Sequence, residues 1–215
     1  MIYRCLQVFA RFLVRTFYRV RVEGLDNFTD SGPLIICANH TFIKDMILIA
    51  GFAPRKMYWM AKDELFKIPL FGAFISKLGA FPVKRGSHDR DSIKKVYELL
   101  NAGMPIGIFP EGTRVLEPVN RPPFKRGYVS FAVNSGASIL PVAIRYENGP
   151  FGRGKLFSKV VMYLGRLVTL DGNYKYSRDE LDEISANIMK WTHEKIGGNY
   201  EGIQIDANKP RNINI

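Results

Sequence analysis

The chain is poor in the residues that small secreted or metal-stapled domains rely on. Among 215 residues there are 2 cysteines and 3 histidines. Cys5 and Cys37 cannot build a disulfide framework, no CxxC offers a zinc site, and His40, His88 and His193 share no ligand spacing. No metal centre is expected. Mean hydropathy is -0.07 and no uninterrupted run of about 18 apolar residues occurs, which excludes a conventional transmembrane helix. Internal repeats, low-complexity segments and clear linkers are missing too. Acids are scarce, 20 against 31 Lys and Arg, leaving a net charge of +11.

What is present bounds the answer further. Hydrophobic residues at 47% and charged residues at 24% exclude a mainly disordered chain. A chain of this length buries about 70% of its unfolded surface as one domain. Its excess of cations favours anionic partners: nucleic acid, an anionic bilayer or phosphorylated small molecules. The cations are interspersed, however, and no RNP, zinc-finger or helix-turn-helix signature accompanies them. Nucleic acid is therefore not the expected partner, and a non-catalytic basic binding module stays only as a remote alternative. Sparse cysteine suits a reducing, cytoplasmic setting.

Residues 1–20, MIYRCLQVFARFLVRTFYRV, hold four arginines and no acid. At about 100° per residue, Arg4, Arg11, Arg15 and Arg19 fall within roughly 80° on a helical wheel. This narrow basic stripe on an otherwise apolar helix is the pattern of an interfacial membrane anchor, expected at the cytoplasmic face. An amphipathic helix docked on the protein's own core fits the same pattern, and the two can coexist. A secretory signal is not expected, because charges interrupt any apolar core and no small-residue cleavage site follows.

Beyond residue 20 strands and helices alternate. Leu34–Ala38, 56–61, 80–83, 105–109 and 139–145 read as strands, with one or two more within 156–170. Residues 43–52, 62–78 with a break at Pro69, 91–101 and 127–135 read as helices. Arg178–Ile196 is a further helix, opened by Ser177 and Glu180 as a capping box. The fold class expected is α/β. A single domain, 21–196, has a mostly parallel central sheet flanked by helices. An N-terminal amphipathic helical arm, 1–20, precedes it and an irregular tail, 197–215, follows.

In such sheets function collects at the carboxyl ends of strands. Three expected strands end in polar clusters: Asn39-His40-Thr41-Phe42-Ile43-Lys44-Asp45, Phe81-Pro82-Val83-Lys84-Arg85-Gly86 and Phe109-Pro110-Glu111-Gly112-Thr113-Arg114. A histidine oriented by a carboxylate is a general base for a hydroxyl. In one regular helix His40 and Asp45 would diverge by about 140°, so His40 must precede the helix and Asp45 must lie in its first turns. In the third cluster Gly112 lets the backbone approach a ligand and Arg114 can grip a phosphate bidentately. Glu111 can bind a ligand hydroxyl or anchor an arginine. Arg85 and Lys125 are further candidate phosphate contacts, and solvated turns are the alternative for both.

Taken together, the order and spacing of these clusters resemble the glycerolipid acyltransferase family, the group that contains 1-acyl-sn-glycerol-3-phosphate acyltransferases. The likeness covers about residues 20–145. Asn39-His40 through Asp45 resembles the family's NHxxxxD block, and Gly79 to Arg85 resembles the second block. Phe109 to Arg114 resembles the FPEGTR block, and Ile139-Leu140-Pro141-Val142 the last. Many relatives have serine where Phe42 and Val115 stand. The resemblance implies an O-acyltransferase in phospholipid biosynthesis. His40 would be the base and Asp45 would steer it, while Asn39, Arg85, Glu111, Gly112, Thr113, Arg114 and Lys125 bind the acceptor. Acyl-CoA or acyl carrier protein would be the co-substrate, with no cofactor. Independently of the resemblance, backbone amides near Gly112 are candidates for part of an oxyanion hole. The acceptor implied is lysophosphatidic acid, with glycerol 3-phosphate or another lysophospholipid as the alternative.

Overall fold

The apolar run Leu34–Ala38 forms strand β2, and all five residues are fully buried because both faces of the strand are covered. Leu34, Ile36 and Ala38 point into one core, while Ile35 and Cys37 point into another. At about 1.5–3 kcal/mol per large aliphatic side chain removed from water, this strand is a principal source of stability. In the computed structural model, residues 7–8, 11–12, 16, 19–84, 89–115, 124–147 and 159–197 are described. Six other strands flank β2: β1 (Arg19–Glu23), β3 (Tyr58–Lys62), β4 (Ala80–Val83), β5 (Pro105–Ile108), β6 (Ser138–Tyr146) and β7 (Lys159–Leu164). The sheet order is β1-β7-β6-β2-β5-β3-β4. Every pairing is parallel except β6 with β7, so the sheet is mixed but mostly parallel.

Helices cover both faces. One core contains α1 (Asp45–Phe52), which is apolar nearly all round. The other contains α4 (Arg90–Asn101), α5 (Gly127–Ser135) and α6 (Arg178–Lys195). The helical stretch around Pro69 divides into α2 (Asp63–Phe66) and α3 (Phe71–Lys77), as the proline requires. The Asp89 side chain caps α4 by accepting from the Ser92 N–H, and the expected capping box opens α6. Gly107 of β5 has a packing role, since a Cβ there would sit 2.1 Å from the Trp59 ring. Its bare backbone is what seats that indole.

The N-terminal arm departs from the sequence reading in two ways. Arg19 and Val20 belong to β1, which pairs with β7, so the helix stops short of residue 20. Gln7, Val8, Arg11, Phe12 and Thr16 are helical, but Arg11 does not face outward. Its Nε donates to the Gly51 carbonyl at 2.7 Å, and the Gln7 amide donates to Ala50 and Ala53 carbonyls at 2.8 and 2.7 Å. These are the orphan carbonyls at the C-terminal end of α1, where donors and positive charge are favoured. Val8 and Phe12 are instead the exposed side chains, at 67% and 62%. Arg4, Arg15 and residues 198–215 lie outside the described residues.

Candidate active site

Strand β2 ends at Ala38, and the chain turns sharply before α1 begins at Asp45. The turn brings His40 back over the first residue of that helix. His40 Nδ1 lies 3.1 Å from Asp45 Oδ2. The same oxygen accepts the Thr41 and Phe42 backbone N–H groups at 2.7 Å each, and Oδ1 accepts the Tyr146 hydroxyl at 2.6 Å. A carboxylate with four donors is rigid, and an ionised one only accepts, so Nδ1 carries the imidazole hydrogen. Nε2 is then the basic nitrogen, and no described residue bonds to it. The His40 side chain keeps 14% exposure against 0% for Asp45, so the pair reaches solvent through the imidazole alone.

The ring is also held flat. Phe109, at the end of β5, stacks on His40 with centroids 4.0 Å apart, and Trp59 stacks on Phe109 at 5.4 Å. The backbone of His40 is gripped by the Glu111 segment. Glu111 Oε2 accepts the His40 N–H at 3.0 Å, and the Val115 N–H donates to the His40 carbonyl at 2.8 Å.

Asn39 departs from the expected acceptor contact. Its carboxamide is buried and pairs with both backbone groups of Ile144, donating at 3.1 Å and accepting at 2.8 Å. It extends the β2–β6 pairing past the strand end and so holds the base loop, because a buried amide must be satisfied. Glu111 likewise turns inward rather than toward a ligand, with its second oxygen 3.4 Å from His193 Nε2.

Gly112 adopts φ 66, the left-handed conformation glycine favours, and its N–H donates to the Phe109 carbonyl at 2.9 Å. That amide is committed to the turn, so Gly112 itself does not supply an oxyanion-hole donor. Thr113 and Arg114 follow, both exposed. Lys125 lies alongside, its Cε 3.6 Å from where a Gly112 Cβ would stand. The structure thus brings Gly112, Thr113, Arg114 and Lys125 to the rim carrying His40. Arg85 lies outside the described residues. The next residue, Arg126, pairs with Asp182 of α6 at 2.7 Å.

Beyond the site itself, the chain as a whole has counterparts among known proteins. The family model described as acyltransferase matches residues 19–145. The chain belongs to the acyltransferase family. A member from Bacillus subtilis, named 1-acyl-sn-glycerol-3-phosphate acyltransferase, is 38% identical over 146 residues, 67% of this chain and 70% of that protein. An enzyme of the same activity from Arabidopsis thaliana chloroplasts is 28% identical over 70% of this chain and 41% of its own length. Among solved structures, the lysophosphatidic acid acyltransferase PlsC from Thermotoga maritima matches with TM-score 0.72 and 27% identity. The match covers 94% of this chain and 82% of that one. This chain is accordingly an enzyme, an O-acyltransferase similar to 1-acyl-sn-glycerol-3-phosphate acyltransferases.

In this acyltransferase a covalent route through Cys37 has no chemical basis. The thiol is fully buried, and burial pushes its pKa up to about 12, so no thiolate forms at neutral pH. Among the described residues no cluster of His, Cys, Asp and Glu is suited to a metal ion.

Three contributors escaped the sequence reading. Tyr146 reaches Asp45 from the far end of β6, and Phe109 reaches His40 only once β5 lies beside β2. Lys44 sits beside the pair, with Nζ 4.8 Å from the Phe42 ring centroid and 4.7 Å from that of Tyr146. Burial pushes its ammonium below the usual lysine range, against the opposing pull of the Asp45 charge. Only Lys44 carried a signal, as a cation next to the aspartate.

Proposed function

We propose that this enzyme acylates the sn-2 hydroxyl of lysophosphatidic acid, giving phosphatidic acid, with acyl-CoA or acyl carrier protein as donor and His40 as general base. The observation that carries the reading is the His40–Asp45 pair at 3.1 Å with Asp45 held by three further donors. His40 Nε2 takes the hydroxyl proton as the oxygen attacks the thioester carbonyl, and Asp45 stabilises the imidazolium that forms. The tetrahedral adduct collapses, the carbon–sulfur bond breaks, and the thiolate leaves and recovers a proton from His40. Arg85, Arg114 and Lys125 hold the acceptor phosphate, with guanidinium groups suited to bidentate contact.

The acceptor lies in a bilayer and the donor head is soluble, so the reaction belongs at the cytoplasmic face of a membrane. No helix among the described residues is long and apolar enough to cross one. Support for peripheral contact comes from exposed apolar groups: Phe12 on the arm, Ile43 beside Asp45, and Leu70, Phe71 and Phe74 at α3. Leu70 is 90% exposed and held at φ 63, ψ -42, a sparsely populated conformation costing a non-glycine residue about 1–3 kcal/mol. The +11 charge adds affinity for anionic lipid, at about 1 kcal/mol per cation near the surface.

Product analysis by mass spectrometry, with pure protein, lysophosphatidate and an acyl thioester, tests the reaction. Phosphatidic acid is the expected product, whereas transfer to glycerol 3-phosphate alone would replace the acceptor. Replacing both Phe12 and Leu70 by glutamate is expected to cut flotation with phosphatidylglycerol vesicles at least about tenfold, since each side chain is worth roughly 1.5–3 kcal/mol when buried. Unchanged flotation would remove these residues from the membrane contact.

A further inference from the structure

Glu111 and His193 form a buried pair that the reaction scheme above does not use. The Glu111 side chain keeps 2% exposure and that of His193 keeps 3%. Glu111 lies in the turn after β5, whereas His193 comes from the last turn of α6, outside the 19–145 segment that defines the family. A carboxylate taken out of water is costly unless donors surround it. Here one oxygen takes the His40 backbone N–H at 3.0 Å, and the other faces His193 Nε2 at 3.4 Å. The second contact is long, and both of its side chains are buried. An ionised carboxylate only accepts, so His193 Nε2 carries the hydrogen.

We propose that His193 is a positioning residue for acyl transfer: it sets the Glu111 carboxylate, and that carboxylate sets the backbone of His40. The inference rests on the acyltransferase reading of His40. Glu111 clamps the His40 N–H and the neighbouring Val115 N–H clamps the His40 carbonyl, so both backbone handles of the base belong to this one segment. The imidazole plane is fixed in turn by Asp45 and by the stack on Phe109, whose carbonyl closes the Gly112 turn. A shift at Glu111 therefore moves the base, the aromatic shelf beneath it and the acceptor turn together. Displacements of about 1 Å at a reacting group cost up to about 10²-fold in rate. Helix α6 becomes part of the active site without touching substrate.

The test contrasts two polar replacements. His193→Gln places its amide nitrogen near the position of Nε2 and keeps the donor, whereas His193→Asn is too short to reach Glu111. His193→Gln is expected to retain kcat within about threefold of the native enzyme. His193→Asn is expected to lose about tenfold or more in kcat, with KM for the acyl thioester unchanged. A second measurement needs no substrate. The chain has 3 histidines, so the imidazole nitrogen signals of His40 are readily assigned in labelled protein. His193→Asn should shift and broaden the His40 signals, and His193→Gln should leave them in place. Equal kcat in both variants, whether native or reduced alike, together with native His40 signals, would overturn the positioning role. Native protein inactive toward every acceptor would sink the acyltransferase reading instead, while the spectra would still report on the Glu111 link.

Discussion

Replacing His40 by alanine is expected to lower acyl transfer by about 10²–10⁴, the usual contribution of a positioned general base, and to leave the fold intact. The ring is not a keystone of packing. Asp45 keeps the Thr41 and Phe42 amides and the Tyr146 hydroxyl, and the backbone of residue 40 keeps its bonds to Glu111 and Val115. Lysophosphatidate binding should persist, because the cations assigned to its phosphate lie on other segments. The truncation also leaves a flat space between the Phe109 ring and Asp45. Added imidazole should occupy that space and restore part of the lost turnover. Product formation in steady state, followed by mass spectrometry, checks the loss, and a melting curve checks the fold. Turnover within a few fold of native in the folded variant would remove His40 as the base.

The parts of this site that the sequence made legible are those set by local rules. Leu34–Ala38 reads as a buried strand because every position is apolar, and the polar cluster after it must then lie at a strand end. The same logic places the FPEGTR turn after β5. The requirement that His40 precede the helix while Asp45 sits in its first turn is a matter of helical angle alone, and α1 does begin at Asp45. Local rules fail where a side chain answers to a distant backbone. Asn39 looks like a ligand contact until β6 lies parallel to β2 and presents both backbone groups of Ile144 to it. Arg11 joins a basic stripe on a helical wheel, but the wheel does not know that the carbonyl end of α1 stands opposite. Tyr146 and His193 lie 101 and 82 residues from the carboxylates they meet, and nothing in their own neighbourhoods marks them. Such contacts are fixed by strand order and register, which periodicity does not encode.

Substituting Asp45 by asparagine is expected to produce the other large loss, again about 10²–10³ in kcat, by a different route. Oδ2 is surrounded by three N–H donors, so the new amide must turn its oxygen toward them and its nitrogen toward Tyr146. The tyrosine hydroxyl can accept as well as donate, and the network therefore survives with Tyr146 reversed. What disappears is the negative charge beside the imidazolium that forms as the hydroxyl is deprotonated. Charge-assisted hydrogen bonds also become neutral ones, which weakens each by roughly half and costs about 1–3 kcal/mol of stability over the set. Asp45→Ala differs in kind, because it leaves four donors without their acceptor, and the two buried ones, the Thr41 N–H and the Tyr146 hydroxyl, cost about 1–3 kcal/mol each, so it should lower the melting temperature much further. Comparison of the two variants separates charge from structure. Similar rate losses at very different stabilities would assign Asp45 to the chemistry, whereas an asparagine variant with native kcat would show that its charge serves only the turn.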